Sequence, residues 1–296
     1  MNIVIGSSAC IVPAYRLGLA EIEGLIGTLK ELVSLVVIVH NDLPSEVPND
    51  VRALLEGHER RNNGSVVSIP FPVGKAAAIR YGIKHVASLG GVDWIAQVDG
   101  HLKQHPSQLA DLLSVVSQHS PSLIIADRYQ LQSLEDQPHR RAVRALFSAL
   151  LRAMTGSAWS DPFCGTRVYD WQLAEAVASG SAFGYGLELE QLLVAHQQGR
   201  TIVSVPVQSV RQAEATAVEK IEENLAVVLQ HMVPEVSVER RLWISHLMVA
   251  VKARVSFSLS LDIFGEPWSL MATYVEHGED DEECYAFAAS IPGGDH

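Results

Sequence analysis

This chain of 296 residues has few cysteines, few aromatic residues and no long apolar run. Its three cysteines, Cys10, Cys164 and Cys284, share no spacing typical of a disulfide framework or a zinc site. The sequence therefore predicts neither a disulfide-bonded scaffold nor a cysteine-based metal centre. Unpaired cysteines are compatible with a reducing cytosol, so we expect a cytoplasmic protein.

The sequence also lacks the features of an inserted or secreted protein. No apolar run approaches the about 18 residues that a membrane-spanning helix requires. The most apolar stretch near the C-terminus, residues 242–264, is interrupted by charged side chains. The first residues do not combine a basic region with an apolar core, so we expect no signal peptide. Contact with the cytoplasmic face of a membrane is expected to be peripheral at most.

Positive charge is scarce. The chain has 22 Lys and Arg residues against 34 Asp and Glu residues, which gives a formal net charge of −12. Such a chain is repelled by a phosphate backbone, so we exclude nucleic acid as a partner. Hydrophobic residues make up 48% of the sequence, which is enough for the core of one large domain with a small appendage.

Short β-rich runs alternate with helical segments in the first part of the chain. Leu-Val-Val-Ile-Val at 35–39 is apolar throughout, as in a strand buried on both faces. The alternation predicts a mostly parallel sheet with helices on its faces. Strands are predicted at 9–12 (or alternatively 2–5), 35–39, 66–69, 94–98 and 123–126, and helices at 22–32, 75–89 and 107–117.

The C-terminal segment shows a different pattern. Apolar and polar side chains alternate from Val249 to Ile263, and this period of two predicts β structure and not a membrane helix. Further strands are predicted at 268–275 and 284–288, with an acidic turn at 277–281. We expect residues 233–296 to form a small antiparallel β-rich appendage to a first domain at 1–232.

Several predicted strands end in polar residues. Asn41 and Asp42 follow the second strand, Asp99 follows the fourth, and Arg128 follows the fifth. Ligands of parallel α/β sheets collect at these carboxyl ends. Asp99 could hold Mg²⁺ or Mn²⁺ against a diphosphate, since both ions prefer oxygen ligands, and His101 could add a nitrogen. The alternative is that each polar residue only forms a turn or caps a helix.

Two later segments combine charges within a few residues. Asp-Pro-Phe-Cys-Gly-Thr-Arg-Val-Tyr at 161–169 places Asp161 and Arg167 in one short loop. Gly-Tyr-Gly-Leu-Glu-Leu-Glu at 184–190 opens a helix with Glu188 and Glu190. A carboxylate there can take a proton from an acceptor, and a cation there can orient an anionic one.

The order of these segments resembles the family-2 glycosyltransferases, and within them the polyprenyl-phosphate sugar transferases typified by dolichyl-phosphate mannose synthase. The resemblance implies a GT-A-like (Rossmann-like) fold and hexosyl transfer from a nucleotide sugar. The similar segments are Ile-Val-Pro-Ala-Tyr at 11–15, Gly-Lys at 74–75, Trp-Ile-Ala-Gln-Val-Asp-Gly at 94–100, Ile-Ile-Ala-Asp-Arg at 124–128, Asp-Pro-Phe-Cys-Gly-Thr-Arg at 161–167, Glu-Leu-Glu at 188–190 and Val-Pro-Val at 205–207.

The resemblance also implies a set of donor-binding residues for a GDP- or UDP-sugar. Gln97 stands where the family has the first aspartate of its Asp-x-Asp motif. One anionic ligand is therefore lost, so we expect Mg²⁺ or Mn²⁺ to be weakly bound by Asp99, with His101 as a further ligand. The implied donor-binding residues are Pro13, Ala14, Tyr15, Asn41, Asp42, Lys75, Gln97, Asp99 and Arg128.

The implied reaction inverts the anomeric carbon, and the acceptor decides which groups assist. For a small soluble acceptor with a hydroxyl group, Asp161 is the first candidate base, with Glu188 and Glu190 as alternatives. A polyprenyl-phosphate acceptor is already anionic and would instead be oriented by cations. The candidate cations are Arg141, Arg144 and Arg167.

Two alternatives stay open at this point. Arg141 and Arg144 could equally belong to a solvated helix face. The whole chain could be a non-catalytic nucleotide-sugar-binding or regulatory protein that kept the fold and lost the full metal site. The presence of Asp161, Arg167, Glu188 and Glu190 together favours the enzyme, since a binding protein does not require the whole set.

Overall fold

The computed structural model describes residues 7–100, 106–119, 121–129, 138–208, 218–231, 249, 257–263, 266–276 and 283–290. The chain divides into two compact units. The first unit consists of residues 1–132 and 164–211, and the second of residues 133–163 and 212–296. The domain boundary predicted at residue 232 stays a prediction.

The elements alternate between strands and helices over most of the chain. Among the described helices, none is both long and apolar enough to cross a bilayer. In chain order the elements are β1 Ser8–Ala14, α1 Leu19–Leu29, β2 Leu35–His40, α2 Asn49–Glu59, β3 Gly64–Ser68, α3 Gly74–Ser88, β4 Trp94–Gln97, α4 Pro106–His119, β5 Leu123–Asp127, α5 Pro138–Thr155, β6 Arg167–Asp170, α6 Trp171–Ala178, a 3₁₀ turn Gly184–Gly186, α7 Leu187–Gln197, β7 Ile202–Pro206, α8 Val218–His231, β8 Phe257–Ile263, β9 Glu266–Glu276 and β10 Glu283–Ser290.

The first unit is built on a seven-stranded sheet in the order β3-β2-β1-β4-β6-β5-β7. All strand pairs are parallel except those of β6, which runs antiparallel to β4 and β5. The prediction of a mostly parallel sheet flanked by helices is confirmed. The side chains of β2 are almost all buried, as its continuous apolar sequence requires.

Helix α1 begins earlier than the sequence predicted. It covers Leu19–Leu29, not 22–32, because the Glu21 carboxylate accepts a hydrogen bond of 2.8 Å from the Gly18 N–H and so caps the first turn. Strand β1 occupies Ser8–Ala14, and the alternative strand at 2–5 lies outside the described residues.

Helix α3 packs closely on the sheet, and this packing determines where the first turn of the helix lies. A Cβ atom at Gly82 would lie 2.5 Å from Ile11 Cγ2 and 3.1 Å from Val39 Cγ2. Only glycine allows this approach of the helix to β1 and β2. The close packing places the N-terminus of α3, with Lys75 in it, beside the carboxyl ends of the central strands.

The second unit contains α5, α8 and a three-stranded antiparallel sheet in the order β10-β9-β8. Both helices pack against β10. The predicted antiparallel β structure is confirmed, although the unit that contains it also includes residues 133–163. Val249 is helical, and the described strand β8 begins at Phe257. The predicted acidic turn at 277–281 lies outside the described residues.

Candidate active site

The candidate site lies at the carboxyl ends of β1, β2 and β4, where neighbouring strands are joined by close contacts. The Asn41 N–H donates a hydrogen bond of 3.2 Å to the Ala14 carbonyl oxygen, which ties the end of β2 to the end of β1. Beyond β4, Gly100 approaches the Pro13 carbonyl so closely that a Cβ atom would collide with it. The residues that follow these three strands therefore share one edge of the sheet.

Asp42 holds the turn that follows β1. Its carboxylate accepts hydrogen bonds of 3.0 and 3.2 Å from the Arg16 N–H, and Arg16 has a left-handed backbone with φ +54°. The Oδ2 atom of Asp42 lies 2.9 Å from His40 Nε2. Burial lowers the pKa of His40, and the neighbouring Asp42 carboxylate only partly opposes this. Asp42 is thus already engaged by protein groups.

Asn41 presents an unsatisfied polar atom at the same edge. Its side chain is buried, with 3% exposed, and its Oδ1 atom has no hydrogen-bond partner within the described structure. A buried polar atom without a partner is unfavourable unless a ligand or solvent supplies one. The Tyr15 ring, which is 38% exposed, follows the neighbouring strand. Asn41 is therefore better placed than Asp42 to bond a ligand.

Lys75 joins two carboxylates from distant parts of the chain. Its Nζ atom lies 2.5 Å from Asp99 Oδ1 and 2.5 Å from Glu188 Oε1. Gly74, with φ +76°, begins α3 just before it. Burial by itself lowers the pKa of the Lys75 ammonium, but the two carboxylates raise it and the result lies well above the ordinary value. Lys75 is therefore charged throughout the physiological pH range.

Gln97 points into the protein and not toward the sheet edge. Its side chain is fully buried, and its Oε1 atom accepts a hydrogen bond of 2.9 Å from Gln191 Nε2. This bond orients the amide so that Nε2 faces Glu188 Oε1 at 3.4 Å. Gln97 was predicted to bind the donor, and the structure places it behind Glu188 as part of its support.

Arg167 connects the loop before β6 to the first turn of α7. It is fully buried, and its Nε atom donates to the Cys164 carbonyl at 2.8 Å. Its Nη1 atom donates to the Glu188 carbonyl at 2.7 Å. The guanidinium thus holds main-chain oxygens of the protein itself, and contact of Arg167 with an acceptor stays a prediction.

Glu190 is the second carboxylate at the start of α7, and it is bonded on both oxygens. Oε2 lies 2.5 Å from Arg80 Nη2, while Oε1 accepts from the Ser181 and Ala182 N–H groups at 2.8 and 2.9 Å. Only 1% of its side chain is exposed. A Cβ atom at Gly180 would lie 2.5–2.6 Å from the carboxylate. Glu190 is enclosed by its own loop.

Arg80 is a residue that the sequence analysis did not single out. Besides Glu190, it bonds the Val177 and Ala182 carbonyl oxygens at 3.0 and 2.6 Å. One indication of its role was present in the sequence, because Arg80 lies between the apolar residues Ile79 and Ile83 on α3. Such a residue suggests a buried ion pair, but nothing in the sequence names its partner.

The described residues do not fit a Mg²⁺ or Mn²⁺ ion as they stand. Such an ion requires several oxygen ligands, but Lys75 lies between the carboxylates of Asp99 and Glu188, and Gln97 faces inward. No cluster of three His, Cys, Asp or Glu side chains suited to a metal occurs in the described parts of the chain. The predicted ligand His101 lies outside them.

The remaining predicted residues are divided between the two units. Arg128 follows β5 in the first unit, and its guanidinium carbon lies 5.8 Å from the centre of the Tyr129 ring. Asp161 is buried in the second unit, and helix α5 of that unit carries Arg141 and Arg144. Within the first unit, the structure brings together Lys75, Gln97, Asp99 and Glu188.

The chain is similar in fold to three solved glycosyltransferase structures. It aligns with mannosyl-3-phosphoglycerate synthase from Rubrobacter xylanophilus over 97% of this chain and 87% of that one, with 14% identity and a TM-score of 0.57. TarS residues 1–349 of S. aureus, in complex with UDP-GlcNAc, align over 83% and 72%, with 13% identity and a TM-score of 0.50. The mannosyltransferase PcManGT from Pyrobaculum calidifontis, in complex with GDP-Man and Mn²⁺, aligns over 84% and 71%, with 13% identity and a TM-score of 0.50.

These likenesses establish a GT-A-like fold, as the sequence predicted. No protein-family profile and no curated protein sequence matches the chain. At 13–14% identity these neighbours define the fold and leave the reaction to be argued from the site.

Proposed function

We propose that this chain is an inverting glycosyltransferase that transfers a hexose from a nucleotide sugar. One observation carries the proposal. A GT-A-like sheet edge presents the unsatisfied amide oxygen of Asn41 at the end of β2 and the Lys75–Asp99–Glu188 cluster beyond β4. These groups match the two ends of a nucleotide, which are a hydrogen-bonding base and an anionic diphosphate.

The donor lies along this edge in our proposal. Asn41 Oδ1 accepts a hydrogen bond from an N–H group of the base, and the Tyr15 ring flanks the nucleoside. Lys75 and Arg128 bind the diphosphate. The structural neighbours were solved with UDP-GlcNAc and with GDP-Man, which supports a UDP- or GDP-sugar as the donor class here.

The reaction needs one bond formed and one broken at the anomeric carbon. An acceptor oxygen attacks this carbon while its bond to the diphosphate oxygen breaks, and the electron pair leaves with the diphosphate. Lys75 and Arg128 stabilise the charge that develops on the leaving group. The proton of a hydroxyl acceptor goes to Asp161 as first candidate, or to Glu188.

Glu190 and Arg167 have positioning roles in this proposal. Both Glu190 oxygens are occupied by Arg80 and two main-chain N–H groups, so a proton transfer to Glu190 would break an ion pair in the interior. Arg167 holds the Glu188 carbonyl, which fixes the first turn of α7. Neither residue needs to touch a substrate to be important.

Two acceptor classes remain in the proposal, a polyprenyl phosphate and a small soluble molecule. Phe183 is 80% exposed and Tyr185 45% exposed, and they flank Gly184, which lies against Gly74 at the start of α3. Exposed aromatic rings beside the site favour an acceptor with an apolar part. The enzyme would work in the cytoplasm, where the buried thiols of Cys10 and Cys164 stay reduced, with peripheral membrane contact for a lipid acceptor.

The test is a screen of UDP- and GDP-sugars for release of the nucleoside diphosphate, with and without polyprenyl phosphate. One donor should be turned over above the rate in buffer. With water or another hydroxyl group as the acceptor, this rate should fall about 10²–10⁴-fold in Asp161→Asn or Glu188→Gln, whichever residue is the base. Tight binding of a nucleotide sugar without any turnover would instead support a non-catalytic binding protein.

A further inference from the structure

We propose that the Lys75 ammonium occupies the cation position of this site, so that nucleoside diphosphate binds without a divalent cation. The ligand in this inference rests on the proposed function. The placement of Lys75 in the cation position does not rest on the proposed function, because metal binding can be measured without any nucleotide.

The geometry of the cluster supports this assignment. Lys75 Nζ lies 2.5 Å from one oxygen of Asp99 and 2.5 Å from one oxygen of Glu188, so a single cation bridges two carboxylates. The side chains are exposed to different degrees, with 29% for Asp99, 15% for Lys75 and 3% for Glu188. The cluster is therefore open on the side of Asp99 and closed on the side of Glu188. An anionic ligand can reach the ammonium from the open side.

The charges of the cluster also support the placement of Lys75 in the cation position. Asp99 and Glu188 contribute two negative charges, and Lys75 contributes one positive charge between them. The buried guanidinium of Arg167, bonded to the Glu188 carbonyl at 2.7 Å, contributes a second. Two protein cations thus balance two carboxylates, just as one divalent ion would.

Gln97 explains why the second carboxylate comes from α7. Its amide is held by Gln191 and directs Nε2 toward Glu188, so position 97 supports the carboxylate of Glu188 and supplies none of its own. A carboxylate at position 97 would face Glu188 across the same short distance and repel it. The amide is therefore matched to the acidic pair that this chain uses.

Gly165 closes the cluster from the side of the loop before β6. A Cβ atom there would lie 2.5 Å from Asp99 Oδ2 and 2.6 Å from Lys75 Nζ. A side chain at this position would displace the Asp99 carboxylate or the Lys75 ammonium, so only glycine leaves the pair in place.

The ammonium also has the capacity to bind phosphate. It carries three N–H donors, of which two serve Asp99 and Glu188, and the third can bond a phosphate oxygen. Lys75 lies in the first turn of α3, where unpaired main-chain N–H groups favour an anion. Both features act on the same group of the ligand, which is the diphosphate.

The first experiment uses Mn²⁺ alone and follows its binding by electron paramagnetic resonance. The intact protein should bind no Mn²⁺ at the site, whereas Lys75→Gln should gain one bound ion per chain at the vacated carboxylates. Lys84→Gln, which removes an exposed lysine of the same helix, should behave as the intact protein. Tight one-to-one binding of Mn²⁺ by the intact protein, or no gain in Lys75→Gln, overturns the proposal.

The second experiment measures the Kd of UDP and GDP by calorimetry in EDTA and in Mn²⁺. The intact protein should give values that agree within about threefold in the two buffers. Lys75→Gln should bind at least about tenfold more weakly in EDTA and recover in Mn²⁺. Asp99→Asn keeps the Lys75–Glu188 pair, and it replaces Lys75→Gln in this measurement if Lys75→Gln does not fold. Its binding should stay insensitive to EDTA.

The outcomes separate this proposal from the proposed function. A stimulation of binding by Mn²⁺ that is more than about tenfold in the intact protein and is lost in Asp99→Asn overturns the inference while leaving a glycosyltransferase in place. Failure to bind UDP and GDP in every buffer contradicts the proposed function, and the titration with Mn²⁺ alone then still decides what occupies the cation position.

Discussion

The Arg80 guanidinium on α3 and the Glu190 carboxylate on α7 form an ion pair inside the first unit, with Nη2 and Oε2 2.5 Å apart. Their side chains are 13% and 1% exposed. Lys75 and Glu188 lie in the first turns of the same two helices. The Arg80–Glu190 pair therefore fixes the two helices whose first turns carry the candidate site.

Glu190→Gln tests whether this pair supports the fold. The change leaves the Arg80 charge uncompensated in the interior, so the free energy of unfolding should fall by about 3–5 kcal/mol. Urea unfolding at neutral pH measures it. Glu56→Gln is the matched control, because Glu56 pairs with Arg60 on the surface, where side chains are 57% and 75% exposed. Its effect should stay below about 1 kcal/mol.

A catalytic role for Glu190 would give a different result. If the turnover of the folded fraction of Glu190→Gln falls by several orders of magnitude while the free energy of unfolding is unchanged, the positioning role is wrong.

Gly165→Ala tests the contact between the loop before β6 and the Lys75–Asp99 pair. The new methyl group would lie within 2.6 Å of the Lys75 ammonium, so either the loop or the ion pair must shift. We expect a loss of about 1–3 kcal/mol in stability and weaker binding of UDP and GDP. Thermal unfolding and calorimetry measure the two effects.

The matched control for this change is Gly27→Ala on α1, where a Cβ atom meets nothing within 4 Å. An alanine in an exposed helix interior is favoured over glycine by about 0.5–1 kcal/mol, so this variant should be slightly more stable and should bind nucleotides normally. Equal behaviour of the two variants would show that the close approach at Gly165 does not matter.

Asn41→Leu tests the proposed contact with the base. The side chain keeps its approximate size and loses an amide whose Oδ1 has no hydrogen-bond partner in the described structure, so stability should be unchanged or higher. The affinity for the nucleoside diphosphate should fall about tenfold, which corresponds to one lost hydrogen bond. Calorimetry with UDP and GDP provides the measurement. Unchanged affinity for both would remove Asn41 from the donor site.

Acid should destabilise the fold through two buried histidines. Burial lowers the pKa of His58, whose Nε2 atom lies 3.0 Å from the Val36 carbonyl oxygen, and burial also lowers the pKa of His40. The unfolded chain then binds more protons than the folded chain below about pH 6.5, the ordinary imidazole pKa. Stability from these groups is full above that pH and is lost as the pH falls through their lowered values.

The measurement is the slope of the free energy of unfolding against pH between about pH 7 and about pH 5. His58→Gln and His40→Gln should each flatten the slope, and the double variant should flatten it further. A slope that both single variants leave as it was would show that other groups cause the acid sensitivity.

The sequence predicted those parts of the fold that depend on local pattern. Strand β2 is apolar except for its last residue, His40, and was predicted within one residue of its end, because burial on both faces dictates its composition. Strand β6 was not predicted. It has four residues, two of which are Arg167 and Asp170, and its place between β4 and β5 depends on pairing with strands distant in sequence.

The sequence predicted which residues belong to the candidate site, but it did not predict which of them contact each other. Lys75, Asp99 and Glu188 were each selected from their own segments, but their ion pairs depend on how α3 and α7 pack, which no local pattern records. Gln97 shows the same limit, since its direction is set by Gln191 on α7. Arg80 was missed because a buried charge in a helix gives no sign of its partner.

The close contact of Gly100 with the Pro13 carbonyl links the part of the edge that we propose binds the base to the part that we propose binds the diphosphate. The Asp42 carboxylate accepts a hydrogen bond from Arg16 in the turn after β1, and Gly100 packs against Pro13 in the strand that leads into that turn. Because Asp99 is next to Gly100 in the chain, a shift of the turn should also move Asp99. Exchanging the turn to change base preference would therefore also alter the chemistry at the sugar. Donor selectivity and reactivity should therefore change together in this chain. Directed evolution of the turn after β1 should select compensating substitutions near Asp99.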